Sequence, residues 1–185
     1  MTPVLDEDLV DLAVEEPAWL AELPGLARLA GTAARLACEA AGLDPAQVSV
    51  SLLACDDARI ARLNRAHRGG AGPTNVLSWP AFALAPVRPG GLPPAPPAPL
   101  PGARQPLGDV AIALQTARRE AAALRIPLKD HVLHLILHGC LHLLGFDHAD
   151  EEDAETMEGL ETRALQRIGV PDPYSRGGAA GPHPD

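Results

Sequence analysis

The sequence predicts one domain that mixes strands and helices, and three observations carry that reading. Four short stretches show the alternation or β-branched content of strands, and five longer ones repeat their apolar residues at helical spacing. The two kinds interleave along the chain. At 185 residues there is room for one proper hydrophobic core but not for two comfortable ones. Residues 1–169 are therefore expected to form a single domain, with a Pro/Gly/Ala-rich insertion at 83–106 and a disordered tail at 170–185.

The elements follow in order. Residues 8–15 and 47–54 alternate as strands do, and the stretch between them reads as a helix. Pro24 suits its first turn, Leu26, Leu29, Ala33, Leu36 and Ala40 form its apolar stripe, and Gly42 ends it. Asp56 can cap the next helix, which turns Ile60 and Leu63 inward and carries Arg59, Arg62, Arg65 and Arg68. Asn75 to Trp79 and Leu107 to Leu114 read as two further strands. A helix from Gln115 to Arg125 follows, and Pro127 opens another that ends near Gly145. In the last helix, about Glu151 to Ile168, Met157, Leu160, Ala164 and Ile168 recur at core spacing before Gly169 stops it.

Composition narrows the function. The net charge of −9 argues against a general nucleic-acid binder, and DNA is not expected as a partner. The acidic residues sit at the N-terminus (Asp6, Glu7, Asp8, Asp11, Glu15, Glu16) and after the histidines, however, leaving the arginine cluster as a local basic face. A solvated helix face is the simpler account of Arg59, Arg62 and Arg65. The opening residues lack a basic start followed by an apolar run, so a cytoplasmic location is expected. The apolar run from Val132 to Phe146 is too short to span a bilayer. Cys38, Cys55 and Cys140 are scattered, as free thiols in a reducing compartment are.

Residues 138–148, His-Gly-Cys-Leu-His-Leu-Leu-Gly-Phe-Asp-His, carry the chemistry. The spacing H-x3-H-x2-G-x2-H puts His138 and His142 one helical turn apart on one face. Gly145 permits the turn that returns His148 towards them. Three imidazoles with a fourth position left open describe a catalytic transition-metal site, zinc first and another metal such as nickel as the alternative. His134 and His142 lie eight residues apart, roughly 12 Å along a helix, too far to share one ion. His131 and His134 are accordingly read as core or supporting residues, and Cys140 faces elsewhere.

The histidine helix and glycine turn resemble those of the metzincin metalloproteases, where the residue after the first histidine is a glutamate acting as general base. Here that residue is Gly139, which opposes a peptidase. A phosphodiester is less demanding, because RNA supplies a 2′-hydroxyl nucleophile and a metal can acidify an attacking water. Both nucleophiles stay open.

Three further stretches join the histidine motif: Leu63-Asn64-Arg65-Ala66-His67-Arg68-Gly69-Gly70, Pro73-Thr74-Asn75-Val76-Leu77-Ser78-Trp79-Pro80 and Leu107-Gly108-Asp109-Val110-Ala111-Ile112. With Ala117 to Ala122, the pair Asp130-His131 with His134, and Met157-Glu158-Gly159-Leu160-Glu161, they resemble the YbeY family of bacterial rRNA-maturation endoribonucleases. The likeness covers about residues 8–165 without the proline-rich loop. It implies an α+β fold with a small mixed four-stranded sheet packed against helices, an ion on His138, His142 and His148, and a functional arginine at Arg68. It also implies a single-strand-directed endoribonuclease that matures the 3′ end of small-subunit rRNA and serves ribosome quality control. The expected partners are an rRNA precursor and the small ribosomal subunit with its proteins, without a membrane. A ribosome-assembly factor with a mainly structural metal is the competing reading. Asn75 and Trp79 stand where the family more often has aspartate and phenylalanine. Asp147 could orient a ligand imidazole or cap a turn.

Overall fold

A computed structural model describes residues 9–175, except for the side chain of Arg68. The acidic residues 6–8 and the tail from 176 onwards lie outside it. Its elements are β1 (Val10–Val14), α1 (Ala18–Glu22), α2 (Leu26–Ala40), β2 (Val48–Cys55), α3 (Asp57–Arg68), β3 (Val76–Pro80), β4 (Gln105–Ala113), α4 (Leu114–Leu124), α5 (Leu128–Leu143) and α6 (Glu151–Gln166). The fold is α+β, with one mixed sheet of strand order β1-β2-β4-β3. β1, β2 and β4 run parallel, and β3 pairs antiparallel with β4 at the edge.

Alternation along β2 decides the layers. Val48, Val50, Leu52 and Ala54 point into the main core, which α2, α5 and α6 close. The opposite face carries a smaller cluster of Cys55, Ile60, Leu77, Ala111 and Ala113, covered by α3. Asp56 caps α3 as its position predicts, accepting from the Arg59 N–H at 2.6 Å. Of the arginines on α3, Arg62 and Arg65 are exposed and Arg59 pairs with Glu15 at 3.0 Å. α5 runs through the middle of the molecule, and 12 of its residues are buried. A helix apolar on nearly every side has to be buried on nearly every side.

Three local features depart from the sequence reading. α1 was not expected: it is a single turn, too short for periodicity, fixed by buried Trp19, whose Nε1 donates to the Cys55 carbonyl at 2.9 Å. α2 begins after Gly25 rather than at Pro24. The insertion at 83–106 is not uniform. Leu84 is buried and the Gly90 N–H donates to Asp153 on α6 at 2.7 Å, whereas Val87, Leu92 and Leu100 are exposed and Gln105 and Pro106 already belong to β4.

Residues 170–175, the start of the segment expected as a tail, make contacts with α5 and α6. The Val170 N–H returns to the Leu165 carbonyl at 3.1 Å, Asp172 accepts from Thr162 Oγ1 at 3.0 Å, and Tyr174 packs against α5 and α6. Proline and aspartate here make a turn held by α6, which composition alone cannot distinguish from disorder. Cys38, Cys55 and Cys140 are free and buried. Among the described residues no helix is long and apolar enough to cross a membrane.

Candidate metal centre

α5 presents His138 and His142 on one face, and its end is a Schellman turn. The Phe146 N–H bonds back to the Leu141 carbonyl at 3.1 Å and the Gly145 N–H to the His142 carbonyl at 3.0 Å, with Gly145 at φ 89°. A Cβ on Gly145 would also lie 2.2 Å from the Leu84 carbonyl oxygen, so the insertion seats directly on this turn. The chain thereby reverses and returns His148.

The three rings meet. Centroids lie 4.6 Å apart for His138 and His142, 5.3 Å for His138 and His148, and 5.0 Å for His142 and His148. The Nε2 atoms of His138 and His142 are 3.0 Å apart, and one donor nitrogen from each of the three rings falls within 4.8 Å of the others. A tetrahedral ion with bonds of about 2 Å needs donors about 3.3 Å apart, so the cluster could hold a metal after small side-chain adjustments.

Behind His138 stands a residue the sequence reading passed over. Glu161 on α6 is fully buried; its Oε1 accepts from His138 Nδ1 at 2.7 Å and its Oε2 from His134 Nε2 at 2.7 Å. A carboxylate only accepts, so the His138 proton sits on Nδ1 and the Nε2 lone pair faces the cluster. Burial pushes the Glu161 carboxyl up, but the adjacent His134 and His138 imidazoles outweigh it and hold the group well below the usual carboxylate range. The clue was available: Glu161 lies four residues after Met157 and three before Ala164, on the core stripe of α6. A charge on such a stripe has to have a partner.

Neither His131 nor His134 joins the three-histidine cluster, and of the two it is His134 that shares Glu161 with His138. His131 Nε2 pairs at 2.7 Å with Glu120, which also accepts from Asn75 Nδ2 at 3.1 Å. Asp147 accepts from the backbone N–H of His148 at 2.8 Å but stays 4.0 Å from His142 Nδ1. It therefore shapes the turn and makes no hydrogen bond to that ring. His142 is held neutral, its pKa lowered to about 3 by burial and then by the neighbouring His138 and His148. A neutral ring is what a metal requires.

Gly139 faces the sheet. A Cβ there would lie 2.9 Å from Val110 Cγ1 and 3.2 Å from both Ser78 Oγ and Val76 Cγ2. The place of a metzincin-type glutamate is thus filled by β3 and β4. Arg68 is the last residue of α3, before Gly69 at φ 71°; the site predicted for its guanidinium lies outside the described atoms.

A mixed sheet carrying a buried helix, three convergent imidazoles and a carboxylate behind them is the framework of a metal-dependent hydrolase without the peptidase glutamate. Comparison with known proteins narrows the class. The family model for endoribonuclease YbeY matches residues 22–169, and this chain belongs to that family. A relative from Ruegeria pomeroyi, named endoribonuclease YbeY, is 53% identical over 168 residues, covering 90% of this chain and 98% of its own. Relatives of the same name from Dinoroseobacter shibae and a Jannaschia species are each 50% identical, covering 94% and 89% of this chain and 97% and 99% of theirs.

Proposed function

We propose that His138, His142 and His148 hold one transition-metal ion, zinc with nickel as the alternative, and that the site cuts single-stranded RNA endonucleolytically. The proposed role is maturation of the 3′ end of small-subunit (16S) rRNA and ribosome quality control in the cytoplasm. The observation that carries the reading is the convergence of three imidazole nitrogens, one of them oriented by buried Glu161. Family membership supplies the reaction class.

A bound ion would supply Lewis acidity towards a phosphate oxygen and make a nearby water easier to deprotonate. Glu161 holds the His138 ring with its Nε2 lone pair outward, and burial keeps His142 unprotonated. Arg68, at the end of α3, is assigned to the scissile phosphate, where a guanidinium stabilises the charge gained on the way to the phosphorane. Nothing at position 139 can serve as a general base, which favours a phosphodiester over a peptide. Because the chain carries a net charge of −9, ribosomal proteins are the expected recruiters to the small subunit.

The test is a cleavage assay on single-stranded RNA with purified parent, His142→Ala and Arg68→Ala, with metal content measured for each. The reading expects about one metal per parent chain, none in His142→Ala, and cleavage by the parent alone. Equal cleavage by all three would mark the activity as contamination and turn the reading towards an assembly factor.

A further inference from the structure

Tyr174 is the single tyrosine of the chain, and it lies in the segment that composition assigns to a loose tail. In the fold its hydroxyl donates to Glu161 Oε2 and sits 3.5 Å from His134 Nε2, with its ring edge-on to His134 at a centroid distance of 5.8 Å. Glu161 thus receives three groups from two parts of the chain: His138 and His134 on α5 and Tyr174 beyond α6. Only one of them, His138, belongs to the three-histidine cluster.

The segment carrying the tyrosine is fastened on its own account. Asp172 accepts from Thr162 Oγ1 at 3.0 Å and from the Tyr174 N–H at 2.9 Å, while Ser175 Oγ donates to the Asp172 carbonyl at 2.9 Å. Together with α5 and α6 it walls a cavity of about 330 Å³ that His134, His138, His148 and Glu161 also line. The tyrosine accordingly occupies a fixed place behind the metal centre.

We propose that Tyr174 is a positioning residue for the metal centre, acting through Glu161 to fix the His138 imidazole. The inference rests on the reading of His138, His142 and His148 as ligands. Its physical basis is geometric. A carboxylate held at one oxygen by His134 and Tyr174 cannot swing, so its other oxygen stays on His138 Nδ1 and the ring keeps its Nε2 turned to the ion. Without the hydroxyl, Glu161 keeps His134 but gains freedom about its last torsion, and the ligand ring gains it too.

The experiment titrates the full chain, made metal-free, with Co²⁺ followed by its visible absorption. The proteins are parent, Tyr174→Phe, Glu161→Gln, the double variant, and His142→Ala as control. Removing an outer partner of a ligand costs about 10- to 100-fold in metal affinity. Tyr174 stands one bond further out, so Tyr174→Phe is expected near the lower figure, a loss of roughly tenfold. In the Glu161→Gln background the same change is expected to add nothing, because the route through the carboxylate is already broken.

Parent-like affinity in Tyr174→Phe overturns the proposal. Equal losses in both backgrounds overturn it too, since the effect then belongs to packing. If Glu161→Gln does not fold, the exchange rate of the His138 Nδ1 proton by nitrogen-edited NMR replaces the cycle: faster exchange in Tyr174→Phe than in the parent supports the proposal, and an equal rate overturns it. Failure of the parent to bind Co²⁺, or binding by His142→Ala equal to the parent's, would instead refute the ligand reading itself.

Discussion

Replacing Gly139 by glutamate would restore the residue that metzincins use as their base, and the structure predicts loss of folding rather than gain of peptidase activity. The first added atom already meets Val110 Cγ1 at 2.9 Å and two more side-chain atoms at 3.2 Å, all on the sheet. Overpacking of this kind costs about 1–3 kcal/mol. The rest of the side chain carries a carboxylate towards a wall of Val76, Ser78 and Val110, whose side chains offer it no positive charge, adding roughly 3–5 kcal/mol for an uncompensated buried charge. Removing a mid-helix glycine returns about 1 kcal/mol. The net loss is about 3–7 kcal/mol, comparable with the whole stability of many domains. Gly139→Ala bears only the first cost and the last gain, so it should lose no more than about 2 kcal/mol. Urea unfolding of parent, Gly139→Ala and Gly139→Glu measures both, beside hydrolysis of an unstructured protein. A Gly139→Glu protein with the parent's midpoint that cuts peptides would refute both the packing argument and the assignment against a peptidase.

Further outcomes are expected. The folded pKa of His142 lies near 3 against an ordinary 6.5, so the native state binds fewer protons than the unfolded one between those values. Stability of the metal-free protein should therefore decline as pH falls from about 6.5 towards 3, with a shallower decline in His142→Ala, read by urea midpoints at several pH values. Burial pushes the Cys38 and Cys55 thiols up to about 12 from 9.0, so they should resist a thiol reagent at pH 8 until the protein is unfolded. The same shift should cost stability above pH 9, where only the unfolded thiols ionise, as thermal melts in alkaline buffer would reveal. Replacing the exposed part of the insertion, residues 92–103, with a Gly/Ser linker of equal length should change stability by less than about 0.5 kcal/mol. Leu84→Ala, under the Gly145 turn, should cost about 2–5 kcal/mol and weaken metal binding; chemical denaturation and Co²⁺ titration distinguish the two.

What could be read in advance was local. Strands β2 and β4 are apolar stretches of the right length, α2 and α6 carry their stripes, and Asp56 and Gly145 sit at a cap and a stop whose stereochemistry depends on one or two neighbours. The histidine spacing belongs to the same class: a helical turn brings residues 138 and 142 together whatever surrounds them, and a glycine turn needs only three residues to return the third ring. Four-residue periodicity cannot reveal a five-residue helix, so α1 escaped. Composition could not separate the part of the insertion that seats on α5 and α6 from the part that stays exposed.

The sequence by itself determined the boundaries of every element but α1 to within a few residues, the family likeness and the histidines that converge, because each depends on neighbours along the chain. The tertiary structure alone decided the strand order, the burial of Gly139 against the sheet, and the closing of Tyr174 and Glu161 behind His138. Those pairings join residues 13 to 61 positions apart, and no local preference encodes them. They exist because a helix buried on nearly every side carries polar side chains into the core, and His131, His134 and His138 each meet a carboxylate on whichever element the packing brings there.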